Sequence, residues 1–114
     1  MKLYLFQLPY NGDNKVHCEE LDVKEDYHKY LGKMLTVINS SNNIPKGWTI
    51  WHEQIGVVDT NGTTTFLWEN DSKKAVELFM DRLQHDLKIE NERHEENVAF
   101  ISTKIKSLEG QLNE

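Results

Sequence analysis

The chain has 114 residues, enough for one domain with an extension, and its 19 acidic residues outnumber 13 lysines and arginines, for a net charge of −6. That balance argues against a general nucleic-acid binder, which needs a basic face for phosphates, so no direct nucleic-acid partner is expected. Cys18 is the single cysteine, no apolar run is long enough for a bilayer, and Pro9 interrupts the N-terminal apolar stretch too early for a signal peptide. A protein of the reducing host cytoplasm with no membrane partner is expected.

Residues Lys2 to Leu8 are rich in β-forming side chains. Leu3, Leu5 and Gln7 fall on one face and Tyr4, Phe6 and Leu8 on the other, which predicts a strand covered on both sides. The cluster Tyr10-Asn11-Gly12-Asp13-Asn14 predicts a turn, and Lys15 to Leu21 a returning strand that completes a first hairpin. Cys18 on that strand is expected to be a small packed side chain rather than a nucleophile.

Asp22 followed by Glu25 resembles a capping pair, and Tyr27, Tyr30, Leu31, Met34, Leu35 and Ile38 follow at helical spacing. The pattern is read as a helix, weakened by Gly32. It leaves open a short helical turn to Leu31 followed by a strand over Met34–Ile38.

A polar loop leads to Ile44-Pro45-Lys46-Gly47. A long strand is expected from Trp48 to Val58, a hairpin turn at Asp59-Thr60-Asn61-Gly62, and a returning strand from Thr63 to Trp68. Glu69-Asn70-Asp71-Ser72 then supplies capping oxygens for a helix running from Ser72 to Leu112 without a proline. At 1.5 Å per residue it spans roughly 60 Å. The fold class is therefore α+β. Residues 1–71 form a small antiparallel sheet of two hairpins with a short helix. Residues 72–114 form a long C-terminal helix that packs on the sheet and then on a partner protomer.

Ala75, Val76, Leu78, Phe79, Met80 and Leu83 give the first helical turns a wide apolar face suited to a sheet. The middle, Gln84 to Asn97, is strongly polar. Beyond it Val98, Ile101, Ile105, Leu108 and Leu112 recur in steps of three and four, the signature of an oligomer interface. Extended by heptads, one row reads Gln84, Asn91, Val98, Ile105, Leu112 and the other Met80, Leu87, His94, Ile101, Leu108. Branched residues in the first row with Leu108 in the second favour two strands, and a buried Asn can fix register. Lys104 and Glu109 pair across a parallel dimer whereas Glu90 and Glu95 repel, so the orientation stays open. The first 71 residues are also near the lower limit for a self-sufficient core, which again favours a homodimer or higher oligomer.

No catalytic signature emerges, and neither enzyme activity, a cofactor nor a metal is expected. His52-Glu53 and His94-Glu95 each lack the second histidine of a zinc-protease motif, since Gly56 and Val98 stand in its place. The glycines are scattered singly, and no serine lies in a nucleophile elbow. Trp48, Trp51 and Trp68 fall in the second hairpin, as packing residues or as a stacking wall for a base, with Trp48 and Trp51 the ligand-wall candidates. Arg82 and Arg93 are the only arginines, and a guanidinium pair can clamp phosphates bidentately; with Asn91 they complete the candidate ligand set.

The strand Lys2-Leu3-Tyr4-Leu5-Phe6 and the strand-cap-helix run Thr65-Phe66-Leu67-Trp68-Glu69-Asn70-Asp71-Ser72-Lys73-Lys74-Ala75, leading into a charged terminal helix, resemble small accessory proteins of bacteriophages and prophages of Gram-positive bacteria. Within that group the architecture is most similar to the Thoeris anti-defence sponges. The resemblance implies a viral counter-defence protein, a non-enzymatic homo-oligomer that sequesters a cyclic nucleotide signal at a subunit interface. One rival is an anti-CRISPR-like inhibitor that turns Glu90, Glu92, Glu95 and Glu96 toward a host defence protein. A virion structural or assembly factor is another.

Overall fold

The computed structural model describes residues 1–9 and 15–112, so the turn expected at residues 10–14 lies outside the described residues. The chain divides into two compact units, Met1–Arg82 and Leu83–Glu114. The α+β class stands.

The first unit is a five-stranded antiparallel half-barrel in the order β4-β3-β2-β1-β5. Its strands are β1 (Lys2–Gln7), β2 (His17–His28), β3 (Gly32–Val37), β4 (Thr49–Trp51) and β5 (Thr64–Leu67). Strand β2 serves two partners in turn. His17 to Asp22 pair with β1, and Val23 to His28 pair with β3. The chain termini of that hand-over are stitched by Val23 N–H to the Met1 carbonyl at 3.0 Å and Ile38 N–H to the Asp22 carbonyl at 2.8 Å.

The helix expected from Asp22 is therefore replaced by the second half of β2 and by β3; the strand over Met34–Ile38 was the correct alternative for its later part. Period-two alternation, not helical spacing, carries the burial: Leu21, Val23, Leu35 and Val37 are all fully buried. Tyr27, Tyr30 and Leu31, which generated the helical pattern, lie exposed around the hairpin turn. Gly32 closes that turn at φ +90°, a conformation open to glycine. His28 Nδ1 accepts from the Tyr30 and Leu31 amides, both at 3.2 Å. Asp22 caps no helix either; its carboxylate takes Lys2 Nζ and, at 3.2 Å, Asn39 Nδ2.

The second expected hairpin is also redrawn. The long strand from Trp48 to Val58 shrinks to β4, followed by a 3-10 turn at His52–Gln54 whose Gln54 Oε1 accepts from Trp51 N–H at 2.7 Å. Strand β5 forms as expected but pairs with β1, through Leu5↔Phe66, rather than with β4. On the other edge of β5 lies an irregular segment. Gly56 N–H donates to the Phe66 carbonyl at 2.7 Å, and Asp59 N–H to that of Thr64 at 2.9 Å. The turn at Asp59–Gly62 is present: Gly62 N–H reaches the Asp59 carbonyl at 3.0 Å, and Asp59 Oδ1 accepts from Thr63 N–H at 2.9 Å.

Strand β1 has a core on each face, as its alternation predicts. Leu3 and Leu5 join Leu21, Val23, Leu35, Val37, Ile50 and Phe66 inside the half-barrel. Phe6 joins Leu67, Ala75 and Phe79 on the outside, with Tyr4, Leu8 and Leu78 packed against them. Ala75 and Phe79 belong to helix α1, Ser72–Leu112, whose first turns thus complete the first unit up to Arg82. Asp71 caps it, Oδ1 accepting the Lys74 amide at 3.1 Å.

The second unit is the remainder of α1. Among its described residues only Asp86 and Ile89 are partly covered, and every other residue through Leu112 is exposed. No described helix is long and apolar enough to cross a membrane.

Candidate functional site

Helical geometry places Val98, Ile101, Ile105, Leu108 and Leu112 along one stripe, because residues three and four apart stack on the same face. Their exposure runs from 50% at Val98 to 85% at Leu112, and Leu87 is similarly open at 61%. An apolar row of this length in water is costly when uncovered. Around it the helix surface is charged: Glu90, Glu92, Glu95 and Glu96 are all exposed. Two local contacts organise that surface. Arg93 forms an ion pair with Glu90 one turn back at 3.5 Å, and the Lys104 ammonium lies 4.5 Å from the Phe100 ring centroid.

The five residues proposed from sequence as a ligand set are divided between the two units. Trp48, Trp51 and Arg82 lie in the first unit, and Asn91 and Arg93 in the second. Arg82 has a structural task. Its guanidinium donates to the Asp59 carbonyl at 2.7 Å and the Thr60 carbonyl at 2.8 Å, tying α1 to the turn before β5. Arg93 is engaged with Glu90, and Asn91 is exposed. Trp48 is 53% exposed beside Pro45, whose carbonyl accepts its amide at 3.2 Å. Trp51, at the end of β4, is half-buried in a T-shaped contact with His28, ring centroids 6.3 Å apart.

The tryptophan that does line a cleft is Trp68. Its ring stands 6.2 Å from that of His52, and the two share a hollow of about 390 Å³ with Ile55, Gly56, Glu69, Asp71 and Lys74. The concavity arises because the 3-10 turn after β4 and the loop between β5 and α1 meet along the edge of the half-barrel. The sequence offers Trp68 only as one of three tryptophans for packing or stacking and gives His52 no part in it, since the adjacency depends on the irregular segment that joins β4 to β5. The cleft offers an aromatic face, an imidazole and an ammonium, with two carboxylates at its rim. Those carboxylates oppose a phosphate and suit a cationic or neutral planar group better.

A polar cluster surrounds Cys18 and Glu19 on β2. Burial on its own would raise the Glu19 pKa, yet hydrogen bonds from Ser41 and Asn43 side chains and the Asn42 and Asn43 amides outweigh it and hold the carboxyl below its ordinary value. The Asn42 amide lies 2.7 Å and Asn43 Nδ2 3.0 Å from that carboxylate. Cys18 is exposed rather than packed, with Sγ donating to Asn70 Oδ1 at 3.5 Å. Residual desolvation, then the charges of Glu20 and Glu19, push its thiol above the ordinary value, which suppresses the thiolate. A cysteine in that setting is a poor nucleophile. Among the described residues no three His, Cys, Asp or Glu side chains gather in metal-binding geometry.

The fully accessible face of the second unit is thus the most extensive candidate surface, and the Trp68 cleft is a smaller one. No protein-family model, no curated protein and no solved structure matches this chain.

Proposed function

We propose that this chain is a non-enzymatic binding protein of the counter-defence kind it resembles, working as an oligomer in a bacterial cytoplasm and presenting the acidic face of α1 to a basic surface of a host defence protein. One observation carries this reading. From Leu83 to Leu112 nearly every described side chain is exposed, so the apolar stripe and four glutamates are all available to other molecules. The stripe serves association with further copies, and the glutamates steer a positively charged partner.

The test is a charge reversal at the two glutamates on the side of α1 away from the apolar rows, Glu92→Lys and Glu96→Lys together. The variant should lose protection of a phage plated on a host armed with a nuclease defence, while its sedimentation mass stays that of the parent. Protection that survives the reversal removes the acidic face from the function.

A second reading, sequestration of a nucleotide messenger, draws its support from the hollow beside Trp68, whose ring can stack a base, against the opposition of Glu69 and Asp71 to a phosphate there. Calorimetric titration with a panel of cyclic nucleotides, repeated on Trp68→Ala, decides it. Binding lost in that variant supports the cleft, and no heat with any member of the panel ends the reading.

A further inference from the structure

We infer that α1 pairs with α1 of a second copy in parallel and in register over Leu87 to Leu112, with Asn91 facing its own counterpart. The inference rests on the self-association proposed above and adds to it an orientation and a register, which heptad spacing leaves open.

The parallel and antiparallel arrangements differ in what each places opposite what. In the parallel arrangement every row residue meets itself. Leu87, Val98, Ile101, Ile105, Leu108 and Leu112, all at least half exposed in the single chain, become six purely apolar layers. The polar members meet polar partners. Asn91 can donate its amide to the carbonyl of the partner's Asn91, and His94 faces the partner's His94, so no polar group is set against an aliphatic one.

Two antiparallel registers keep the stripe covered, and each fails on a named contact. Setting Val98 opposite Ile101 of the second copy puts Asn91 against Leu108 and His94 against Ile105. A buried amide is then left without a partner at both ends, which costs more than an exposed ion pair returns. Setting Val98 opposite Leu108 keeps the centre apolar but opposes Lys104 to Lys104 and Glu95 to Glu109, so that every charged flanking residue faces a like charge.

The flanking charges of the parallel pair are better arranged than the sequence suggests. Lys104 faces the partner's Glu109, an attractive pair formed twice. The one repulsive contact, Glu90 with the partner's Glu95, is already relieved from within, because Arg93 lies 3.5 Å from the Glu90 carboxylate on the same helix. That guanidinium supplies the positive charge the contact lacks. The ion pair nominated by nobody's motif thus has a task at the interface, and Asn91 acts as the register lock rather than as a ligand.

The experiment is disulfide trapping in a Cys18→Ser background, which removes the one exposed native thiol. Leu87→Cys and Leu112→Cys are made separately, oxidised with glutathione disulfide alone and as an equimolar mixture, and analysed by mass under denaturing conditions; sedimentation equilibrium of the unmodified chain runs alongside. The parallel register brings each introduced sulfur beside its own counterpart, within the short Cα separation a disulfide requires. Each single variant should then convert mostly to its own covalent dimer, at least tenfold above the mixed product. A mixed Leu87–Leu112 product without the two homodimers overturns the orientation in favour of the antiparallel one. A sedimentation dimer that yields no trapped product overturns the register, and a trimer mass overturns the two-stranded pairing. A monomer at tens of micromolar removes self-association itself, so failure of the orientation and failure of the underlying reading are separable.

Discussion

The two units of this chain solve opposite problems with similar residues. In Met1–Arg82 the apolar side chains of the central strand are covered on both faces: Leu3 and Leu5 on one face of β1, Phe6 on the other, all buried. In Leu83–Leu112 the large apolar side chains also form a regular stripe, yet not one is buried. The first unit derives its stability from itself, whereas the second is a regular helix whose apolar face gains nothing until another surface covers it. Burial, then, is where the fold is held, and exposure is where the interaction is offered.

That contrast can be broken by direct comparison of Phe6→Ala with Ile105→Ala. Phe6 sits in the outer core against Phe79, and its truncation should cost about 3–5 kcal/mol in urea unfolding. Ile105→Ala should leave the first unit within about 0.5 kcal/mol of the parent while dissociating the oligomer. All three tryptophans lie in the first unit, so fluorescence reports that unit alone. Equal destabilisation of that signal by the two variants would erase the distinction.

Arg82 sharpens it from the other side. As a latch from α1 to the Asp59 and Thr60 carbonyls, it contributes to the stability of the first unit. Arg82→Ala should lower unfolding stability by about 1–3 kcal/mol, and Arg82→Lys should restore little, because an ammonium cannot span two carbonyls as the guanidinium fork does. A variant of unchanged stability that loses partner binding would return Arg82 to the functional surface.

The smallest effect concerns acid. The Glu19 pKa is depressed in the folded state, so its contribution is present above the unfolded value and fades as pH falls through the folded one. Removing that carboxyl with Glu19→Gln should flatten the stability curve of the first unit on its acid side, below the usual glutamate range, and leave the helix content of the second unit untouched. Parallel curves for parent and variant would exclude the Ser41–Asn43 bonds as its cause.

Legibility followed the same division. The alternation of Leu3 and Leu5 against Tyr4 and Phe6 announced a strand covered twice, and the proline-free run from Ser72 announced the helix with capping oxygens in Glu69–Ser72, of which Asp71 supplies one. Both signals are local. The β2–β3 arm was misread because Tyr27, Tyr30 and Leu31 imitate a helical face while being turn residues in the open; Gly32, noted as a helix weakness, was the informative residue. The partners of Arg82 are backbone carbonyls and those of Trp68 are brought by an irregular segment, so neither leaves a mark in residue types or spacing. Contacts of that kind become visible only once distant elements are placed side by side.

The strand order has a consequence for how this chain comes into being. Strand β1 lies between β2 and β5, and its second neighbour is remote in sequence: Leu5 pairs with Phe66. During synthesis β1 finds β2 early, but one of its edges and the Phe6 side chain stay uncovered until β5 and then Ala75 and Phe79 leave the ribosome. An open edge beside a bare aromatic is a template for mispairing with a neighbouring nascent chain. The last turns of the first unit therefore act, in time as well as in space, as the seal on its first strand.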